Sequence, residues 1–240
     1  MKYLIVIPTY NESESITSLL HRLDAVRNVD KSEDIHILLV DDNSPDGTAA
    51  IADALGLANF TVLHRSKKEG LGPAYLAGFA WGLERNFDYL LEMDADSSHQ
   101  PEELPRLLAA SHSADLVIGS RWVAGGSVQN WPWHRIFISR FGTSYASVLL
   151  RLPYRDLTSG FRVLSAGLLR RIPFEQIETH GYGFQIEMAM RAHDLGATIQ
   201  EVPITFIERA QGRSKMTGSI VWEAFASVTQ WSLHRIFNRR

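Results

Sequence analysis

The order of apolar and polar segments in this 240-residue chain predicts an α/β fold built on a mostly parallel central sheet covered by helices. Two observations carry that expectation. In the first half, short near-continuous apolar runs alternate with longer segments of helical periodicity, the pattern of parallel strands buried on both faces. The polar, turn-rich stretches fall at the carboxyl end of each apolar run, and those ends meet along one edge, where ligands bind in such sheets.

The elements follow in order. A strand reads at 3–7, then a helix over 15–26 in which Ile16, Leu19, Leu20 and Leu23 recur at helical spacing. The second strand is 35–40 with a helix over 48–57, and the third is 61–64 with a helix over 73–85, where Pro73 suits a first turn. The fourth strand, 89–93, precedes a helix over 101–110 opened by Pro101, and a fifth strand stands at 116–119. Beyond Gly125 and Gly126 the pattern is less regular. Residues 130–152 read as one or two aromatic-rich helices, 157–165 as a strand, 181–196 as a helix, and 198–209 as one strand bent by Pro203. A polar loop, "RAQGRSKMTG", leads into a last helix over about 219–238, with Trp222, Phe225, Val228, Leu233 and Ile236 beside a narrow polar stripe. No repeat, linker or low-complexity tract divides the chain, so one domain over 1–240 is expected.

Composition narrows the function. Apolar residues make up 45% and charged residues 21%, an ordinary globular balance, and the absence of cysteine excludes disulfides, thiolate metal sites and cysteine nucleophiles. No run approaches the roughly 20 apolar residues needed to span a bilayer, and the first apolar run is too short for a signal peptide, which leads us to expect a cytosolic chain. Net charge is −3, but through Ser120 there are 9 Lys and Arg against 19 Asp and Glu, and afterwards 15 against 8. Eight arginines and only Asp156 stand between Arg121 and Ile172. A solvated basic face explains such a bias in general; anionic partners are the alternative.

The strand ends carry the candidate chemistry. "MDADSSHQ" places Asp94 and Asp96 after the fourth strand. A lone D-x-D commonly caps a helix or a loop. As a strand continuation, however, it turns both carboxylates to one side, where oxygen ligands suit Mg2+ or Mn2+ holding a diphosphate. In "DDNSPDGT", Asp46, Gly47 and Thr48 account for the turn and the next helix. Asp41 and Asp42 are not needed for that, and are expected to accept from a base or a ribose hydroxyl. "PTYNE" adds Tyr10 to flank a base and Glu12 to accept a hydrogen bond.

Together with "GLGPAYLAGF", "GSRW", "ISRFGTSYA", "DLTSGFRVL", "GYGFQIEM" and "EVPITFIERAQGRSKM", these blocks stand in the order found in one group of enzymes. The chain resembles, over nearly its whole length, the GT-A fold of glycosyltransferase family 2 and within it the dolichol/polyprenol-phosphate mannose synthases. The resemblance implies inverting transfer of mannose from GDP-mannose to a polyprenyl phosphate. It implies that Pro8, Tyr10, Glu12, Val40 and Asp42 hold guanosine. Asp94, Ala95 and Asp96 would line the metal–diphosphate site for Mg2+ or Mn2+, with Ser98 where relatives carry glutamine or serine. Arg121, Arg209 and Lys215 would serve phosphates, Arg140 joining Arg121 and Arg209 on the acceptor side. Residues 1–120 would then be the nucleotide- and metal-binding half and 121–240 the acceptor- and membrane-facing half. A phosphate monoester, with its second pKa near 6, needs no strong general base, so His99 is expected to be a structural neighbour of the metal loop.

The lipid acceptor implies a membrane surface, for which Trp131, Trp133, Ile136, Phe137 and Ile138 beside His134 and Arg135 are suited. It also implies peripheral attachment to the cytoplasmic face and a possible separate membrane-anchoring subunit, because some relatives lack transmembrane helices of their own. Three rival readings fit the sequence less well. A haloacid-dehalogenase-type phosphohydrolase carries its D-x-D after the first strand, not the fourth. A non-catalytic subunit would not be expected to keep both the acidic pair and the "ER…GRSK" block. A nucleic-acid binder would show a recognised module, and the chain is acidic overall. A sister enzyme using UDP-glucose stays open.

Overall fold

The computed structural model describes residues 1–29, 33–177, 179, 181–208 and 218–237. The first half consists of β1 (Lys2–Thr9), α1 (Ile16–Val29), β2 (Asp34–Asp41), α2 (Thr48–Asp53), β3 (Phe60–His64), α3 (Leu71–Glu84), β4 (Tyr89–Glu92), α4 (Leu104–Ser111) and β5 (Leu116–Ser120). The second half adds β6 (Ser127–Gln129), α5 (Trp133–Leu150), β7 (Arg162–Ser165), α6 (Ala166–Leu169), α7 (Gly181–Asp194), β8 (Ile199–Pro203), β9 (Thr205–Ile207) and α8 (Gly218–Phe237).

Seven strands form one sheet in the order β3-β2-β1-β4-β7-β5-β8. Its pairs are parallel except that β7 runs antiparallel to both β4 and β5. The period of two along β1 sorts its side chains between two cores. Tyr3, Ile5 and Ile7 face α1 and α4, while Leu4 and Val6 face α3 and α7. α3 lies close on the sheet because glycines line its inner side: a Cβ at Gly82 would stand 2.6 Å from Leu4 and 2.7 Å from Leu90. A third cluster, including Ala146, Ile186, Met190 and Val228, packs α5 and α8 onto α7 as an outer layer.

The expected α/β architecture is present, and the segment 130–152, read as one or two helices, holds one, α5. Two details differ. The segment read as one bent strand is broken at Ile204, whose amide donates to Ser120 and whose carbonyl accepts from Ser127. Its second piece, β9, leaves the main sheet and pairs with β6, a strand the apolar pattern does not announce. The second difference is the acidic pair, which stands in a turn beyond β4 rather than on its continuation.

Candidate active site

The polar ends of β1, β2 and β4 meet along one edge, as parallel register requires: Thr9 pairs with Asp41 and Val6 with Glu92. The chain leaves β4 at Glu92 and turns over residues 95–97, with Ser97 at φ 62° in the left-handed region. Ala95 is buried in the core below, which anchors the turn between its two carboxylates. The Ser98 amide donates to Asp96 Oδ1 at 3.0 Å, and the Gln100 side chain donates to the carbonyls of Ser97 and Ser98. The Asp94 amide donates to His99 Nδ1 at 3.1 Å.

His99 is 1% exposed, stacked on Phe161 with centroids 5.1 Å apart and meeting Phe206 edge-on at 5.5 Å. Burial pushes its imidazole down to about 4, against the raising pull of Asp96. The ring is therefore neutral at physiological pH and able to accept from the Asp94 amide, a scaffolding part as anticipated.

Two carboxylates at one turn match the way Mg2+ or Mn2+ is held, through one or two carboxylates with the remaining positions left to water and substrate phosphate. Among the described residues no group of three or more His, Cys, Asp or Glu forms an all-protein cage. Ser98 is buried, and its Oγ has no hydrogen-bond partner among the described residues. Two carboxylates and an unpaired hydroxyl in one turn fit a hard divalent ion shared with a diphosphate.

At the tip of β2, adjacent carboxylates serve different structures. Asp41 accepts from Thr9 Oγ1 at 3.0 Å, Ser44 Oγ at 2.6 Å and the Ser44 amide at 2.9 Å, so the turn does depend on it, contrary to the expectation from sequence. Asp42 accepts from the Glu69 and Gly70 amides at 3.1 and 3.2 Å and pairs with Arg65, latching the loop between β3 and α3. That loop carries Lys68, whose Nζ lies 4.0 Å above the Tyr10 ring. The Glu12 amide donates to Thr48 Oγ1, and its carbonyl accepts from Ser15 and Ile16 at the start of α1. Pro8 pairs with Val40 at the strand tips, but the Val40 side chain is in the core, so a ligand would meet its backbone.

Arg121 is 5% exposed, and Asp156 holds it from three sides: Nε to Oδ2 and Nη2 to Oδ1, both 2.7 Å, and its own amide to Oδ2 at 2.9 Å. Nη2 also donates to Thr158 at 2.9 Å, and the rings of Trp122, Trp131 and Phe206 surround the guanidinium at 5.4–5.5 Å. Arg121 stands close enough to the acidic turn for its charge to lower His99. Arg135 pairs with Glu208 and lies 4.3 Å over Trp131, while Arg140 is exposed on α5, 5.6 Å over Trp122. Arg162, grouped with these by sequence, is wholly buried, and donates to the carbonyls of Gln185 and Leu157. Arg209 and Lys215 lie outside the described residues.

Sequence reasoning passed over the residues beneath the turn. Glu92 opposes Arg162 in strand register; burial pushes its carboxyl up to about 7, against the pull of the Arg162 charge and the nearby Gln185 amide. It also missed Asp156, although a lone acid among eight arginines was a signal to pair it with one of them.

Behind this edge, an apolar cavity between α5, α7 and α8 is lined by Ile138, Gly142, Tyr145, Tyr182, Phe225 and Val228. Thr158, which accepts from Arg121, stands at its border, so the cavity adjoins the charged site. Trp133, Phe137 and Phe141 form an exposed row at i, i+4 and i+8 on α5, with Trp222 exposed on α8. No helix among the described residues is long and apolar enough to cross a membrane.

Comparison with known proteins places this geometry. The model described as "Glycosyl transferase family 2" matches residues 4–173. The undecaprenyl-phosphate mannosyltransferase of Micrococcus luteus is 53% identical over 236 residues, covering 97% of this chain and 95% of that one. The polyprenol monophosphomannose synthase of Mycolicibacterium smegmatis is 47% identical over 240 residues, covering 98% and 89%. The dolichol-phosphate mannosyltransferase of Pyrococcus furiosus is 37% identical over 227 residues, covering 93% of this chain and 61% of the relative. Among solved structures, glucosyl-3-phosphoglycerate synthase from Mycobacterium tuberculosis, in complex with Mn2+, UDP and phosphoglyceric acid, has the same fold. It superposes with a TM-score of 0.74 at 19% identity, over 96% of this chain and 78% of that one.

Proposed function

The chain belongs to glycosyltransferase family 2, and from that premise we propose that it transfers mannose from GDP-mannose to a polyprenyl phosphate, releasing GDP. The observation that carries this reading is the near-full-length identity to two polyprenyl-phosphate mannosyltransferases, with the acidic turn at the tip of a central strand. An acceptor phosphate oxygen bonds to C1 of the mannosyl group from the face opposite the leaving diphosphate. The C1–O bond to the diphosphate breaks, and its electron pair leaves with GDP.

Each group in the site has a part in this reading. Asp94 and Asp96, with Ser98 beside them, would hold Mg2+ or Mn2+. That ion, when bound, neutralises charge on the diphosphate as it leaves. The acceptor is largely dianionic at neutral pH and attacks without a base, which agrees with a buried, neutral His99 already bonded to a backbone amide. Arg121, oriented by Asp156 and Thr158, presents the remaining edge of its fork to phosphate. Arg140 on the exposed side of α5 meets the acceptor headgroup, and Arg209 and Lys215 complete the phosphate set on family likeness. Tyr10, Glu12, Asp42 and the Pro8–Val40 strand tips form the guanosine side. In this arrangement residues 1–120 carry the donor and metal, and 121–240 the acceptor.

The cavity beside Thr158 takes the first isoprene units. Trp133, Phe137, Phe141 and Trp222 rest at the lipid–water boundary of the cytoplasmic face, where a separate anchoring subunit would add to their hold. The test is direct. Purified chain with Mg2+, polyprenyl phosphate and labelled GDP-mannose, UDP-glucose or UDP-N-acetylglucosamine is followed by lipid extraction. Label from GDP-mannose should enter the lipid phase. Labelling from a UDP-sugar instead would replace the donor assignment, and no labelling from any donor would overturn the reading.

A further inference from the structure

Gly160 stands half-exposed between Ser159 and Phe161, facing the acidic turn. Its φ is outside the left-handed region. A Cβ built there would meet Asp94 Oδ1 at 3.5 Å, His99 Cε1 at 3.6 Å and Gln185 Nε2 at 3.7 Å, all ordinary contact distances. Neither backbone conformation nor packing therefore demands glycine. Gly119 is different, because a Cβ there would press on the Phe161 carbonyl at 2.9 Å. What Gly160 preserves is space, bordered on one side by a carboxylate and on another by a carboxamide.

The carboxamide is the second observation. Gln185, on α7, is 2% exposed; the buried Glu92 carboxyl is the group its amide can reach inside the protein, and neither Nε2 nor Oε1 closes a bond of good geometry there or elsewhere among the described residues. Buried amides are nearly always satisfied, so one held this loosely beside a ligand edge points to a further partner that arrives with the ligand. A group seated between Asp94 Oδ1 and Gln185 Nε2 has to donate to the carboxylate and accept from the amide N–H. A hydroxyl does both. His99 Cε1 offers only a carbon edge to the same space, which leaves the polar contacts to the other two.

We propose that the space over Gly160 seats one ring hydroxyl of the donor's hexosyl group between Asp94 and Gln185, making Gly160 and Gln185 determinants of sugar recognition. The inference rests on the reading of this chain as a nucleotide-sugar-dependent transferase. It gives that reading a place where hexoses are told apart, since mannose and glucose differ only in the direction of one hydroxyl. A structural role is the competing explanation: Gln185 lies near buried Glu92 and would then merely support it.

Calorimetry with GDP and GDP-mannose, Mg2+ present, on the wild type, Gly160→Ala and Gln185→Met separates the two, with melting curves alongside. Both variants should bind GDP within about twofold of the wild type yet lose about tenfold or more on GDP-mannose, as removal of a buried hydrogen bond does. Gly160→Ala should melt with the wild type, and it carries the test alone if Gln185→Met fails to fold. Unchanged GDP-mannose affinity in Gly160→Ala, or equal losses on GDP and GDP-mannose, would overturn the proposal. If the wild type prefers UDP-glucose, the donor reading falls while the same comparison with UDP and UDP-glucose still decides this one. A wild type that binds no nucleotide sugar refutes both.

Discussion

Asp156→Ala is the sharpest perturbation the structure offers. The carboxylate is fully buried, and it accepts the backbone amide, Nε and Nη2 of Arg121, a guanidinium itself only 5% exposed and ringed by aromatics. Arginine does not deprotonate in a protein, so removing the carboxylate leaves a desolvated cation whose only other described side-chain acceptor is the Thr158 hydroxyl. Breaking a buried pair from one side costs about 3–5 kcal/mol. For a chain of this size, each kcal/mol moves the melting temperature by about 2–4 °C, so a fall of about 6–20 °C is expected. Asp156→Asn keeps the shape and loses the charge, and should cost less, about 1.5–3 kcal/mol. Arg121→Met combined with Asp156→Leu removes both charges and should recover much of the loss. Guanidinium unfolding of the four proteins, analysed with independent m-values, measures all three effects. An Asp156→Ala variant within about 1 kcal/mol of the wild type would show that the pair is not closed in solution.

Four further outcomes follow from the same geometry. Asp94→Asn and Asp96→Asn should each abolish most mannosyl transfer at an unchanged melting temperature; full activity in EDTA or wild-type rates would remove the metal assignment. Asp42→Ala should weaken GDP binding about tenfold. Because Asp42 holds the Glu69 and Gly70 amides, it should also speed hydrogen exchange at those two positions, and unchanged exchange would refute the latch. Burial pushes the Tyr3 phenol up to about 12, so its contribution to stability is complete below the unfolded value near 10 and is lost as pH rises to about 12. Tyr3→Phe should lack that loss, about 1.4 kcal/mol per pH unit, and parallel pH dependences would disprove it. Phe137→Glu with Phe141→Glu should abolish sedimentation with anionic vesicles while leaving GDP binding intact; retained vesicle binding would put the lipid face elsewhere.

The strand–helix alternation was legible because burial on both faces and on one face leave different periods in a sequence, and the first nine elements carry one or the other plainly. The edge that gathers the candidate residues was legible for the same reason. What the sequence conceals is direction and partnership. The strand pattern at 157–165 reads identically whether β7 runs with or against its neighbours. Nothing about Ser97 announces a left-handed residue, so the acidic pair passes for strand. Asp41 and Asp42 are chemically alike in sequence, and only the fold sends one to Thr9 and Ser44 and the other to the loop at 65–70. Asp156 meets Arg121 across a long helix, a contact that no local pattern encodes.

The antiparallel strand also sets an order of assembly. β4 and β5 do not pair with one another; each bonds to β7, which the chain reaches only after the whole of α5. A nascent chain, lengthening by about 5–20 residues per second, can close β1–β4 with their helices long before residue 162 exists. Throughout that interval β4 is an open edge, a template for any strand that comes near. The packing of the acidic turn waits as well, since His99 rests on Phe161 and Phe206, both made far later. A ribosome stalled before residue 160 would therefore hold the edge formed by β1, β2 and β4 without a seated acidic turn. The chain acquires its chemistry at the end of folding.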